Sequence, residues 1–204
     1  FINYWLYTFT ATCLLCLVEP FVAIWLGQDF VLTKAILILA VAIYYFKGIN
    51  SGIDIAKNAA GLYYPDRFIP MAEAIANMVI SIVLAKRYGI AGVLFGTLVS
   101  FLALSFWAKP YFVCRDVFGV SFARYAVREG REIVVSVLVA AGTWYAVSLV
   151  SLENVLLSFG VKALLALALS NGLLLLVYFK TSEFQYLRGL LESAANRIGK
   201  RKKA

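Results

Sequence analysis

Long apolar runs recur along the chain and are separated by short polar segments. A helical run of about twenty apolar residues spans the hydrocarbon core of a bilayer. Six runs approach or exceed that length, at residues 1–26, 31–61, 68–85, 90–113, 133–150 and 159–179. The sequence lacks the two-residue alternation of a membrane β-barrel. The pattern therefore predicts an all-α membrane protein with six transmembrane helices.

The second run carries its polar residues on one helical face. Six of them recur at helical spacing: Lys47, Asn50, Ser51, Asp54, Lys57 and Asn58. A helix over residues 31–61 would be roughly 45 Å long and would place Lys47 near the middle of the membrane. A charge at that depth usually marks a transport pathway. The alternative is a lysine that reaches the interface or pairs with Asp54 or Glu73 on packed helices.

Two further runs contain acidic residues at membrane depth. Glu19 precedes Pro20 near the end of the first run, where the proline removes a backbone donor and opens a kink. Glu19 could therefore bind a cation or a proton, or it could reach interfacial water. The third run carries Glu73, Asn77 and Ser81 at a spacing of four, which predicts a second polar face.

Small residues in the third and fourth runs permit close helix contact. Gly92 and Gly96 have the spacing found where membrane helices pack tightly. We expect the second, third and fourth helices to form one tight bundle. The last two runs contain few polar residues, so we expect their helices to dock at the periphery.

The composition supports a membrane protein and limits its chemistry. Hydrophobic residues make up 63% of the 204 residues and charged residues only 15%, more apolar surface than a soluble domain of this size could bury. The chain has no histidine and three cysteines, Cys13, Cys16 and Cys114. Because the other candidate ligands are scattered, we interpret the cysteines as packing residues and expect no metal site and no cofactor.

Basic residues are concentrated in two segments outside the apolar runs. Residues 114–132 combine arginines with aromatic side chains, which predicts a short amphipathic link at the membrane surface. Residues 180–204 form an amphipathic pattern with a basic end, which predicts an interfacial tail helix that binds anionic membrane lipids. With this tail inside, fourteen basic residues fall on the inner side and four outside. The bias predicts a cytoplasmic tail and argues against a nucleic-acid partner.

Three segments follow one another in an order that resembles a known family: EPFVAIWLGQDF, AEAIANMVISIVL and YGIAGVLFGTLVS. Over residues 14–125 the chain is similar to the C-terminal half of oligosaccharide flippases of the multidrug/oligosaccharidyl-lipid/polysaccharide exporter superfamily. The resemblance implies a V-shaped transporter of two helical lobes. Residues 1–113 would supply four helices of the second lobe and residues 133–179 two additional C-terminal helices. The rest of the same protein would supply the N-terminal lobe.

The resemblance also implies a function, which is the flipping of a polyprenyl-pyrophosphate-linked oligosaccharide across the inner membrane by alternating access. Lys47 would hold a phosphate as a point charge. Three neutral side chains would bind sugar hydroxyls: Asn50, Ser51 and Asn77. Three acids are available to couple transport to a cation or proton: Glu19, Asp54 and Glu73.

Three alternative functions remain open at this point. A cation-coupled exporter of drugs or lipid precursors would belong to the same superfamily, but the central Lys47 favours an anionic substrate. A membrane-embedded glycan-processing enzyme would need catalytic groups in its outer loops, which hold only Asp29 and Glu153. We therefore expect no enzymatic activity. A purely structural subunit would require that the polar faces be buried pairings.

Overall fold

The computed structural model describes residues 1–64, 67–150 and 154–189. It is built of helices throughout, with these bounds: α1 Ile2–Trp25, α2 Lys34–Ala59, α3 Ile69–Tyr88, α4 Ile90–Ala103, α5 Ser105–Val113, α6 Phe122–Ser148 and α7 Val155–Tyr178. A 3₁₀ turn, Gln28–Phe30, joins α1 to α2, and a π-helical turn, Cys114–Phe118, follows α5. Residues 182–189 are also helical and begin the predicted tail.

Six helical stretches in this part of the chain are long and apolar enough to cross a membrane. They comprise α1, α2, α3, α6 and α7, together with the stretch Ile90–Phe118, which holds α4, α5 and the π-helical turn. Helices α4 and α5 are separated only at Leu104, whose backbone departs from ideal helix geometry. The fold is thus that of an all-α membrane protein. The prediction of six membrane-spanning helices is confirmed by the length and the composition of the helices.

The predicted boundary between the amphipathic link and the fifth span is wrong. Helix α6 begins at Phe122, so most of residues 114–132 belongs to the same continuous helix as the span. The charge density of this segment predicts a surface location, but its charges divide between two faces. The arginines are exposed, whereas Glu129 and Glu132 are buried against neighbouring helices. The link itself shortens to residues 114–121, where Gly119 adopts a positive φ of 59°.

Helix α1 lies at the centre of the packing and contacts α2, α6 and α7. Helix α3 packs mainly on α4, and α4 in turn packs on α2. The expected peripheral position of the last two helices is therefore wrong, because α6 and α7 flank the central helix. The peripheral helix is α3, none of whose residues is buried.

The α3–α4 contact depends on the two glycines that the sequence singled out. A Cβ on Gly92 would lie 2.4 Å from the Leu84 carbonyl oxygen, and a Cβ on Gly96 would lie 2.5 Å from the Ser81 hydroxyl. Side chains at these positions would force the two helices apart. The expected close approach of the third and fourth spans is confirmed, and its cause is the missing Cβ atoms. The second span joins this bundle mainly through α4, with little direct contact to α3.

Candidate functional site

Lys47 lies at the middle of α2 and is exposed. Its ammonium group is 5.8 Å from the centre of the Phe101 ring on α4. Within the described residues, no ion pair includes Lys47. The structure therefore places an unpaired cation halfway along a helix that is long enough to cross a membrane.

The two acids that could have paired with Lys47 have other partners. Asp54 forms an ion pair of 2.9 Å with Lys109 on α5. Glu73 accepts a hydrogen bond from the hydroxyl of Ser105, also on α5. The hypothesis that Lys47 pairs with Asp54 or Glu73 is therefore wrong.

The neutral residues of the α2 polar face have different environments. Ser51 accepts a hydrogen bond from the Asn3 amide of α1 at 3.1 Å and donates to the Gly48 carbonyl at 2.7 Å. Asn50 is 2% exposed, and no hydrogen bond to its amide oxygen or nitrogen occurs within the described residues. Both side chains thus face the packed interior of the bundle, whereas Lys47 does not.

Asn77 lies at a separate place, on the contact between α3 and α4. Its carbonyl oxygen accepts hydrogen bonds from Ser81 at 2.9 Å and from Thr97 at 3.2 Å. Among the described residues, no hydrogen bond joins Asn77 to Lys47, Asn50 or Ser51. The structure therefore does not gather the predicted sugar-binding residues into one cluster.

Glu19 is exposed and lines a groove of about 350 Å³ between α1, α2 and α6. The groove is mainly apolar, with Lys34 as its other charged residue. Lys34 lies 6.0 Å from the centre of the Trp144 ring on α6. Helix α1 continues through Pro20 to Trp25, so Glu19 occupies the last turns of an unbroken helix.

A buried polar network between α1, α2, α6 and α7 escaped the sequence analysis. On α1, Tyr4 donates a hydrogen bond to Glu129, and Thr8 lies 2.6 Å from the Ser136 hydroxyl. Tyr45 of α2 donates to the same Ser136 hydroxyl at 2.8 Å. These contacts join residues that lie far apart in the sequence, so no local pattern could pair them.

The α7 side of the network centres on Glu132. This carboxylate accepts hydrogen bonds from the hydroxyl of Tyr178 and, at 2.8 Å, from the guanidinium of Arg131. The sequence did contain one signal. Glu129, Glu132, Ser136 and Thr143 follow one another at helical spacing, and all four are buried along one face of α6.

The cysteines occupy packing positions. Cys16 is buried beside Val147 and Ala166, and Cys13 packs against this cluster. Cys114 is buried at the end of α5. All three are free thiols, as the sequence interpretation as packing residues requires.

Comparisons with protein-family models, with curated proteins and with solved structures give no match to the chain. The similarity to oligosaccharide flippases therefore depends on the order of the sequence segments alone.

Proposed function

We propose that the chain is part of a transporter that flips a lipid-linked oligosaccharide with an anionic pyrophosphate across the inner membrane by alternating access. The observation that supports the proposal best is Lys47, which is exposed at the middle of α2 and has no ion-pair partner among the described residues. The remainder of the transporter, including an N-terminal lobe, would cover this surface and complete a central pathway.

The charge around Lys47 favours an anionic substrate. Asp54 is neutralised by Lys109, and no ion pair among the described residues joins Glu73 to Lys47. An anion that crosses the low-dielectric midplane faces a large desolvation cost. A fixed ammonium group at that depth lowers this cost, because it acts as a point charge toward a loosely held phosphate.

The sugar-binding role predicted for three neutral side chains receives less support. Asn50 is buried without a hydrogen-bond partner among the described residues, whereas Ser51 and Asn77 make hydrogen bonds with neighbouring helices. In this conformation the hydrogen bonds of Ser51 and Asn77 stabilise helix contacts. The proposal therefore assigns substrate contact to Lys47, and it assigns Asn50, Ser51 and Asn77 to the glycan only if the helices rearrange during transport.

The proposal includes an orientation with residues 180–204 in the cytoplasm. The basic bias of the sequence supports it. The end of this tail, which would contact anionic lipids, lies outside the described residues. Labelling of single cysteines introduced at Ser158 and at Lys180 should place them on opposite sides of the membrane. Labelling of both from the same side would contradict the orientation.

The test of the substrate role uses complementation of a flippase-deficient strain, with the abundance of each variant measured in the membrane. We expect Lys47→Ala to lose most export at normal abundance, because no ion pair in the described structure depends on Lys47. Lys47→Arg should retain part of the export, since the charge is kept. The matched control is Lys109→Ala, which breaks the Asp54 pair and should reduce abundance. Full export by Lys47→Ala would refute the proposal.

A second candidate function is a cation-coupled exporter of apolar or cationic compounds. The apolar groove between α1, α2 and α6, with Glu19 at its edge, favours this alternative. The two functions predict opposite effects for substitutions of Glu19 and Lys47. A cationic-compound exporter should lose resistance activity with Glu19→Gln and keep it with Lys47→Ala.

A further inference from the structure

Two acidic residues on α6, one helical turn apart, are buried to the same degree but have different partners. Glu129 is 1% exposed and Glu132 is 3% exposed. Glu132 has a cationic partner, the guanidinium of Arg131 at 2.8 Å, as well as the Tyr178 hydroxyl. Glu129 has only neutral donors beside it. Tyr4 donates to one carboxyl oxygen, and the other oxygen, Oε1, is buried without a hydrogen-bond partner in the described structure.

No ion pair among the described residues includes Glu129. Six titratable or charged groups lie around it: the amino group of Phe1, Tyr4 of α1, Tyr45 of α2, and Tyr125, Arg128 and Glu132 of α6. Two of these groups are cations, Arg128 and the amino group of Phe1, and neither forms an ion pair with Glu129 in the described structure. The half-exposed guanidinium of Arg128 pairs instead with Glu183 at 2.9 Å, on the segment that follows α7.

Burial without a cation determines the protonation state of a carboxyl group. An unpaired carboxylate is strongly disfavoured in a buried position, and such a group takes up a proton instead. The neutral hydroxyls of Tyr4 and Tyr125 do not replace the water that an ionised carboxylate would lose. Glu132 differs from Glu129 in this respect, because the guanidinium of Arg131 supplies a positive charge next to its carboxylate.

We propose that Glu129 is a proton-binding site at the interface of α1 and α6. The carboxyl group holds its proton while it is packed against Tyr4. It releases the proton to water when the interface opens enough to hydrate Oε1. Protonation is thereby linked to the contact between the central helix and α6. This site is different from the acids that the sequence offered for ion coupling, Glu19, Asp54 and Glu73, and it does not depend on the identity of the transported molecule.

Infrared spectroscopy of the full-length protein in lipid nanodiscs tests the proposal directly. A protonated carboxyl group has a carbonyl stretch that is separate from the carboxylate bands and shifts in D₂O. We expect wild-type protein at neutral pH to show such a band, and Glu129→Gln to lose it. The matched control is Glu132→Gln, which removes an equally buried acid and should keep the band. If Glu129→Gln leaves the spectrum unchanged, or if Glu132→Gln removes the same band, the proposal is wrong.

A stability measurement guards against a variant that misfolds. Glutamine resembles the neutral acid and keeps an oxygen that can accept the Tyr4 hydrogen bond. We therefore expect Glu129→Gln to retain the wild-type unfolding temperature, whereas Glu132→Gln should unfold at a lower temperature because Arg131 loses its partner. Failure of Glu129→Gln to fold would show that the site requires a charged carboxylate, and this result would also overturn the proposal.

Discussion

The group formed by α1, α6 and α7 and the hairpin formed by α3 and α4 associate through different contacts. In the first group, hydroxyls and carboxyls make hydrogen bonds across the helix interfaces, as Thr8 does with Ser136 and Tyr178 with Glu132. In the hairpin, Gly92 and Gly96 bring the two backbones close together. Helix α3 contributes no buried residue, although it lies in close contact with α4.

This difference shows how apolar helices obtain specific neighbours. Lipid chains are as apolar as leucine, so burial of apolar surface gives little preference for one helix over another in a membrane. Specific neighbours then require either polar pairs or close backbone packing. The first group uses mainly polar pairs and the hairpin mainly close packing. Substitutions should therefore destabilise the two regions by different mechanisms.

The largest effect is expected from Gly92→Ala in the hairpin. The new Cβ would lie 2.4 Å from the carbonyl oxygen of Leu84 and 2.5 Å from its carbonyl carbon, and backbone atoms cannot move aside as a flexible side chain can. Alanine is favoured over glycine in helices by about 1 kcal/mol, so the clash must outweigh that gain. We expect a net loss of about 2 kcal/mol in the free energy of unfolding.

The matched control for this variant is Gly172→Ala on α7, where a Cβ would meet nothing within 4 Å. It should leave the free energy of unfolding unchanged or raise it by up to about 1 kcal/mol. Thermal unfolding of both purified variants, followed by tryptophan fluorescence, gives the comparison. Equal unfolding temperatures for the two variants would mean that the hairpin does not depend on close packing.

A smaller effect is expected from Ser136→Ala in the group formed by α1, α6 and α7. The substitution removes the partner of Tyr45 and of Thr8, both of which are buried. Hydrogen bonds between membrane helices contribute roughly 0.6 kcal/mol each and at most about 1.7 kcal/mol, so we expect a loss of roughly 1 kcal/mol. Ser148→Ala is the control, because its exposed hydroxyl bonds only within its own helix. A loss no greater than that of Ser148→Ala would contradict the role of the network.

The helices themselves were predictable from the sequence, because their apolar length is a local property. The start of α6 at Phe122 was not predictable in this way. Arg124 and Arg128 make the segment highly charged, which predicts a surface location, but Glu129 and Glu132 of the same segment are buried. The mid-helix position of Lys47 also followed from the sequence. That Lys47 has no ion-pair partner in the described part of the chain did not follow from the sequence, because Asp54 pairs with Lys109, fifty-five residues away. Ion pairs between distant residues depend on tertiary structure, which the periodicity of a sequence does not predict.

The smallest effect is expected from Glu183→Gln. Glu183 lies on the segment that follows α7, where it pairs with Arg128 of α6. Its own backbone N–H, the Ser182 hydroxyl and the Arg128 guanidinium lower the pKa of the Glu183 carboxyl below its ordinary value. Because the folded pKa lies below the unfolded one, the stabilisation is complete above the unfolded pKa of about 4.3 and is lost as the pH falls through the folded pKa. The pair is exposed, so we expect its contribution to stay below about 1 kcal/mol. Unfolding temperatures measured from neutral pH down to about pH 3 should fall slightly less steeply for Glu183→Gln than for wild-type protein. Identical pH profiles would show that the Arg128–Glu183 contact does not stabilise the start of α6.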